Sequence, residues 1–196
     1  MDQSKPRARG TWTLWAVIAV CAAPLVLSYI AYYLVKPQGR NNYGALIDPR
    51  SYPMPSLQGS SLDGKPLELD AYKGKWIMLQ VDSGGCQQAC QKKLYDMRQL
   101  RLTQGREMER IERVWLITDK EPLETMLMRE YDGTRMLRAD PARINAWLPV
   151  EQGTSPRDHL YMIDPLGNLM MRFPKDADPN RIKRDLGRLL KASKIG

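Results

Sequence analysis

Trp76-Ile77-Met78-Leu79-Gln80-Val81-Asp82-Ser83-Gly84-Gly85-Cys86-Gln87-Gln88-Ala89-Cys90 decides the fold. Trp76–Val81 is an almost unbroken apolar run of strand length, the pattern of a strand buried on both faces. A Gly-Gly turn follows, then a helical stretch in which Cys86, Cys90, Leu94, Met97 and Leu100 recur at spacings of 4, 4, 3 and 3, one helix face. Gly105 is the expected stop. A second apolar run, Val114–Thr118, completes a βαβ crossover.

Working outward, Leu123, Met126 and Leu127 predict a short helix after Pro122. Asp140-Pro141 reads as an N-cap followed by proline at the first helical position, with Ile144, Trp147 and Leu148 facing inward. Leu160–Ile163 and Leu169–Phe173 flank Asp164-Pro165-Leu166-Gly167-Asn168, turn chemistry that predicts an antiparallel hairpin. Asp178-Pro179 repeats the cap and opens a last helix with Ile182, Leu186, Leu189 and Leu190 inside. Upstream, Leu62–Leu67 reads as a turn between short strands. The order βαβ, connecting helices, ββα predicts an α/β fold: a thioredoxin-like mixed sheet flanked by helices over residues 56–196.

Trp12–Val35 carries no charged residue. Its 24 residues, at about 1.5 Å each, reach roughly 36 Å and span a hydrocarbon core of about 30 Å. Trp12 and Trp15 at one end, and Tyr29, Tyr32 and Tyr33 at the other, match interfacial aromatic belts. A cleaved signal peptide would have a shorter apolar core and a small-residue cleavage site, so an uncleaved transmembrane helix over 12–35 is expected. Lys5, Arg7 and Arg9 precede it; Lys36 and Arg40 follow. The positive-inside rule then makes residues 1–11 a basic cytoplasmic tail. In a bacterium the anchor would lie in the cytoplasmic membrane and the domain in the oxidising periplasm. Residues 36–55, rich in Pro, Gly and Asn, read as a linker. Nucleic acid is not an expected partner on that side of a membrane, and the net positive charge reads first as a solvated surface spread along the chain, with docking on acidic partners or anionic lipid headgroups as the sharper alternative.

Cys86 and Cys90, with His159, the single histidine of the chain, are the candidate site. Cys86 is expected in the first turn of the helix, where free N–H groups favour a thiolate, with Cys90 one turn on. Gly84 and Gly85 would keep the approach open. Two thiolates and an imidazole suit copper, Cu(I) or Cu(II), better than structural zinc, which wants four protein ligands. The methionines read as core filler, and Asp158 is expected to point away from His159. A structural disulfide, a peroxidase and a thioredoxin-type reductase are competing readings of the two cysteines. The third cysteine, Cys21, lies inside the apolar stretch, apart from the site.

The anchor, the Gly-rich turn into Cys86-Gln-Gln-Ala-Cys90, and Asp158-His159-Leu-Tyr-Met-Ile-Asp-Pro-Leu-Gly167 together resemble the Sco/SenC family of membrane-anchored copper proteins. The resemblance implies copper held by Cys86, Cys90 and His159. It also implies a chaperone assisting copper-site assembly of cytochrome c oxidase, with an oxidase subunit or another copper-site protein as partner. Where the family usually has proline after the second cysteine, this chain has Gln91. Two alternatives use the same fold: a thiol–disulfide reductase keeping the oxidase's copper-ligand cysteines reduced, with Cys86 and Cys90 as redox residues, and a non-catalytic assembly factor.

Overall fold

A computed structural model describes residues 9–35, 42–193 and 195. Lys5, Arg7, Lys36 and Arg40, on which the orientation was read, lie outside the described residues, as does the side chain of Arg9. The chain divides into two units, residues 1–41 and 42–196.

The first unit is helix α1 (Arg9–Ile30), which passes through Pro24 and continues as a π-helical turn over Ala31–Val35. Thr11–Tyr33 is long and apolar enough to cross a membrane, with a mean hydropathy of 2.2 over its most apolar window. The Tyr29 and Tyr33 rings lie 4.5 Å apart, one helical turn in sequence, with Tyr32 edge-on to Tyr33. Cys21 is exposed on this helix, far in sequence from the other cysteines.

In the second unit six strands make one sheet: β1 (Ala45–Leu46), β2 (Trp76–Asp82), β3 (Ile111–Ile117), β4 (Thr134–Arg138), β5 (Leu160–Ile163) and β6 (Leu169–Arg172). Their spatial order is β1-β6-β5-β2-β3-β4. β2, β3 and β4 run parallel; β5 pairs antiparallel with β2, and β6 with β5. The helices are α2 (Gln88–Leu102), α3 (Thr125–Glu130), α4 (Pro141–Trp147) and α5 (Pro179–Ala192). This is the mixed sheet with helices on both faces that the sequence predicts.

β2 is central because both its faces are apolar. Ile77, Leu79 and Val81 join Val114, Leu116, Tyr161 and Ile163 in a core closed by Ile144 and Trp147 of α4. Met78 faces the other way, among Met97 and Leu100 of α2 and Ile182 and Leu186 of α5. A one-residue slip would exchange these two sets. Each large apolar side chain withdrawn from water is worth about 1.5–3 kcal/mol, so the register is strongly held.

Both Asp-Pro starts are as expected: Asp140 accepts from the Ala142 N–H and Asp178 from the Asn180 N–H. Four expectations need correction. The linker ends at residue 41 rather than 55, because β1 pairs with β6 and the N–H groups of Tyr43 and Gly44 bond the buried Asp185 carboxylate. β4 is a strand with no apolar run to announce it; it is an edge strand with a largely polar sequence. Met126 is 74% exposed, so it is not core filler. In place of two strands around the Leu62–Leu67 turn there is a single bridge between Ser60 and Pro66.

Candidate functional site

β2 ends at Asp82, and residues 83–87 turn the chain into α2. Cys86 sits in that turn with φ +25°, ahead of the helix, whose N-cap is Gln87. The expected placement of Cys86 within the first turn is therefore corrected. Bending the chain there brings its Cα to 5.1 Å from that of Cys90, and the two sulfurs are joined as a disulfide. In a regular helix two residues four apart lie on one face with Cα atoms about 6 Å apart; the unwound turn brings these two closer and permits the bond. Gln91 Nε2 donates to the Cys86 carbonyl at 3.0 Å and so holds this turn. The residue by which the chain departs from the Sco/SenC pattern thus fixes the backbone of the first cysteine.

The disulfide is covered. Cys86 and Cys90 are 1% and 2% exposed, packed with Leu94, Trp115, Ile117, Leu127 and Tyr131. Segment 119–121 lies over the glycines. Asp119 Oδ1 accepts from the N–H groups of Gly84 and Glu121, and Arg138 donates to the Asp119 and Glu121 carbonyls. A Cβ on Gly85 would meet Glu121 Oε2 at 2.5 Å, and one on Gly84 the Glu121 carbonyl at 2.7 Å. At Gly84 the close backbone of this segment requires glycine, whereas at Gly85 only the mobile end of Glu121 stands in the way; neither glycine leaves an open path to sulfur.

Beneath the disulfide lies Gln80, which the sequence reading passed over as one more residue of an apolar strand. It is fully buried, and its Nε2 donates to Cys90 Sγ at 3.5 Å while its Oε1 is without a partner. A polar side chain at the one break in a buried run, six residues before Cys86, was the available signal. Lys93, one turn after Cys90 on α2, points its ammonium to the Asp82 carboxylate at 3.1 Å and to the carbonyls of Val81 and Arg157. Burial lowers its pKa, opposed by Asp82.

His159 is held elsewhere. It follows the short turn Pro156–Asp158 in extended backbone, with φ −118° and ψ 158°. Leu160 pairs with Gln80 and shares its face, the face of Cys90. His159, one residue earlier, turns to the opposite face with Tyr161, whose ring is 6.0 Å away, edge-on. Its Nδ1 lies 2.9 Å from the Phe173 carbonyl and its Nε2 2.7 Å from Thr154 Oγ1. A carbonyl only accepts, so Nδ1 carries the proton. The ring is fully buried, and burial is the main cause that lowers its pKa. Asp158 points away from it, as expected, to the Ser155 N–H and hydroxyl and to Lys175. Those backbone and lysine contacts hold its pKa down at about 2.

The structure therefore brings Cys86 and Cys90 together and leaves His159 across the sheet from them. A copper ion held by all three does not fit this arrangement: the sulfurs are bonded to each other and both ring nitrogens are engaged. Among the described residues no group of three or more His, Cys, Asp or Glu is arranged to hold a metal ion.

Residues 76–193 match the family described as transmembrane-like, thioredoxin-like, C-terminal domain. No curated protein shows significant sequence similarity to the chain. Solved structures share its fold. ScoI of Bradyrhizobium japonicum, solved with copper bound, is 20% identical with a TM-score of 0.50, covering 68% of this chain and 97% of that one. Yeast Sco1, also solved with copper bound, is 13% identical with a TM-score of 0.55, covering 72% and 90%. A thiol:disulfide interchange protein from Bacteroides sp. is 15% identical with a TM-score of 0.53, covering 73% and 91%.

Proposed function

Since the chain belongs to the transmembrane-like, thioredoxin-like C-terminal domain family, we propose that it is a membrane-anchored thiol–disulfide oxidoreductase working through Cys86 and Cys90. The observation that carries this reading is the sulfur–sulfur bond at the start of α2, made without any contribution from His159. In the reducing direction the Cys86 thiolate attacks a partner's disulfide. One partner sulfur leaves as a thiolate, and a mixed disulfide forms. The Cys90 thiolate then attacks Cys86 Sγ, closes the bond seen here and releases the second partner sulfur. Two electrons pass to the partner. Cys86 is the attacking sulfur because it lies in the turn, whereas Cys90 rests on Gln80 beneath it; since both are buried, the turn must open before a partner's disulfide reaches it. The free N–H groups at the start of α2 favour its thiolate. On this reading the anchor lies in the bacterial cytoplasmic membrane and the domain faces the periplasm, where disulfides form readily and a reductant has work to do.

The test uses the full chain in detergent, equilibrated with a dithiothreitol redox pair and trapped by alkylation. Cys86→Ser is expected to abolish exchange, and His159→Ala to leave the equilibrium unchanged. Absence of exchange in the unaltered protein would end the reading.

A second reading is favoured by the two copper-bound Sco structures: a copper chaperone serving the copper site of cytochrome c oxidase or of another copper protein. It requires the Cys86–Cys90 bond to be reduced. It also requires His159 to leave Thr154 and Phe173 and cross to the other face of the sheet. Cu(I) titration of the reduced chain separates the two readings. Binding that weakens at least tenfold in His159→Ala would favour the chaperone; binding indifferent to that change, or none, favours the oxidoreductase.

A further inference from the structure

We infer that the exposed face of α5 docks on an anionic lipid surface. The inference depends on the N-terminal membrane anchor and not on the chemistry proposed for the cysteines. In sequence the positive charges look dispersed; in the fold they gather. α5 carries Arg181, Lys183, Arg184, Arg188 and Lys191, all exposed, and its one acidic residue, Asp185, is buried. At 100° per residue these five lie within an arc of about 160°, opposite the arc of Ile182, Leu186, Leu189 and Leu190. An open groove of about 770 Å³ runs beside them, lined by Lys183, Arg184, Arg188 and Lys191 together with Gln104 and Glu107. It leaves room for phosphate-bearing headgroups beside these cations.

The chain enters the domain at this helix. The N–H groups of Tyr43 and Gly44 bond Asp185 Oδ2 at 2.7 and 2.9 Å. The Arg181 guanidinium lies 3.9 Å over the Tyr43 ring, and the Tyr43 hydroxyl accepts from the Asp178 N–H. The candidate span ends at Tyr33 and the folded unit begins at Asn42. The intervening chain, at about 3.5 Å per residue, reaches at most roughly 32 Å. α5 is thus the helix on which the first residues of the folded unit rest, and its exposed charges are all positive. Near an anionic leaflet each such residue contributes about 1 kcal/mol. A short tether already supplies the high local concentration that a free domain would lack.

The probe is the full chain in nanodiscs, of phosphatidylcholine alone or mixed with phosphatidylglycerol. Acetylation of surface lysines by a water-soluble reagent is followed by mass spectrometry. Lys65 and Lys120, exposed elsewhere on the domain, serve as internal references. Lys183 and Lys191 are expected to react about tenfold more slowly in the anionic discs, the ratio of a 1.4 kcal/mol preference. Raised salt should restore the rate, and Arg184→Glu should restore much of it without altering thiol exchange. Equal rates in the two discs would overturn the inference. So would slowing by soluble polyglutamate in phosphatidylcholine discs with none from phosphatidylglycerol, which would assign the face to an acidic protein partner. Loss of thiol exchange in the unaltered chain would leave this result untouched and would bear on the proposed function alone.

Discussion

Cys86 and His159 flank the same central strand and are organised in opposite ways. The cysteine turn leaves regular geometry: positive φ ahead of the helix, glycines pressed by segment 119–121, and a buried amide carbonyl without a partner beneath the sulfur. The histidine turn is satisfied throughout, with both ring nitrogens bonded and Asp158 capping the backbone that leads into it. Strain and an unpaired polar atom persist where a site must change state; a saturated network marks a place built to stay. On the oxidoreductase reading proposed above, the sulfurs undergo the redox change and the imidazole closes the structure.

His159→Ala breaks the comparison most forcefully. It deletes a buried ring, strands the Phe173 carbonyl and leaves a cavity, and is expected to cost about 2–4 kcal/mol of stability. Denaturant unfolding of the full chain in detergent, followed by tryptophan fluorescence, reads this directly. The Cys86–Cys90 reduction potential should stay where it is. A variant of undiminished stability with an altered potential would reverse the two assignments.

Gln80→Leu sharpens the other side. In the disulfide form Gln80 has only a sulfur acceptor for its N–H and nothing for its Oε1. Reduction gives Cys90 either an S–H, which the carbonyl can accept, or a thiolate, which the N–H can stabilise. Both favour the dithiol. Removing the amide is expected to make the potential more negative by about 20–40 mV, equivalent to about 1–2 kcal/mol for two electrons. Equilibration with dithiothreitol measures it, and a potential within error of the unaltered chain would leave Gln80 a packing residue.

The apolar run Trp76–Val81, the two Asp-Pro caps and the Asp164–Asn168 turn were legible because local chemistry decides them. β1 and β4 were not. A two-residue segment, and a polar edge strand, become strands only when a partner strand is already in place. Of the site, the turn at Gly84-Gly85 and the closeness of Cys86 and Cys90 were legible from local sequence, but nothing in Gly84-Gly85-Cys86 announces the segment 119–121 that packs over the glycines. The position of His159 turned on a single residue of alternation. Period-2 geometry placed Asp158 and His159 on opposite faces, but which face also held the sulfurs depended on the pairing of Leu160 with Gln80, a long-range fact.

The last expected effect, no larger than the second, concerns the turn that aims His159. Asp158 has a folded pKa of about 2, below its ordinary value of 3.8, because it accepts from Ser155 and pairs with Lys175. A carboxylate with a depressed folded pKa stabilises the fold fully above its unfolded pKa, and that contribution is lost as pH falls through the folded value. The window therefore runs from about 4 down to about 2. The side chain is 26% exposed, so screening trims the full linkage value to about 1–2 kcal/mol. Asp158→Asn should lose this much at neutral pH, and its stability should converge with that of the unaltered chain below that window. If His159 is structural, loosening its turn in this way costs stability and leaves the exchange equilibrium of Cys86 and Cys90 unmoved. A shift in that equilibrium would mean that the two sides of the sheet communicate, and that the histidine takes part in the chemistry after all.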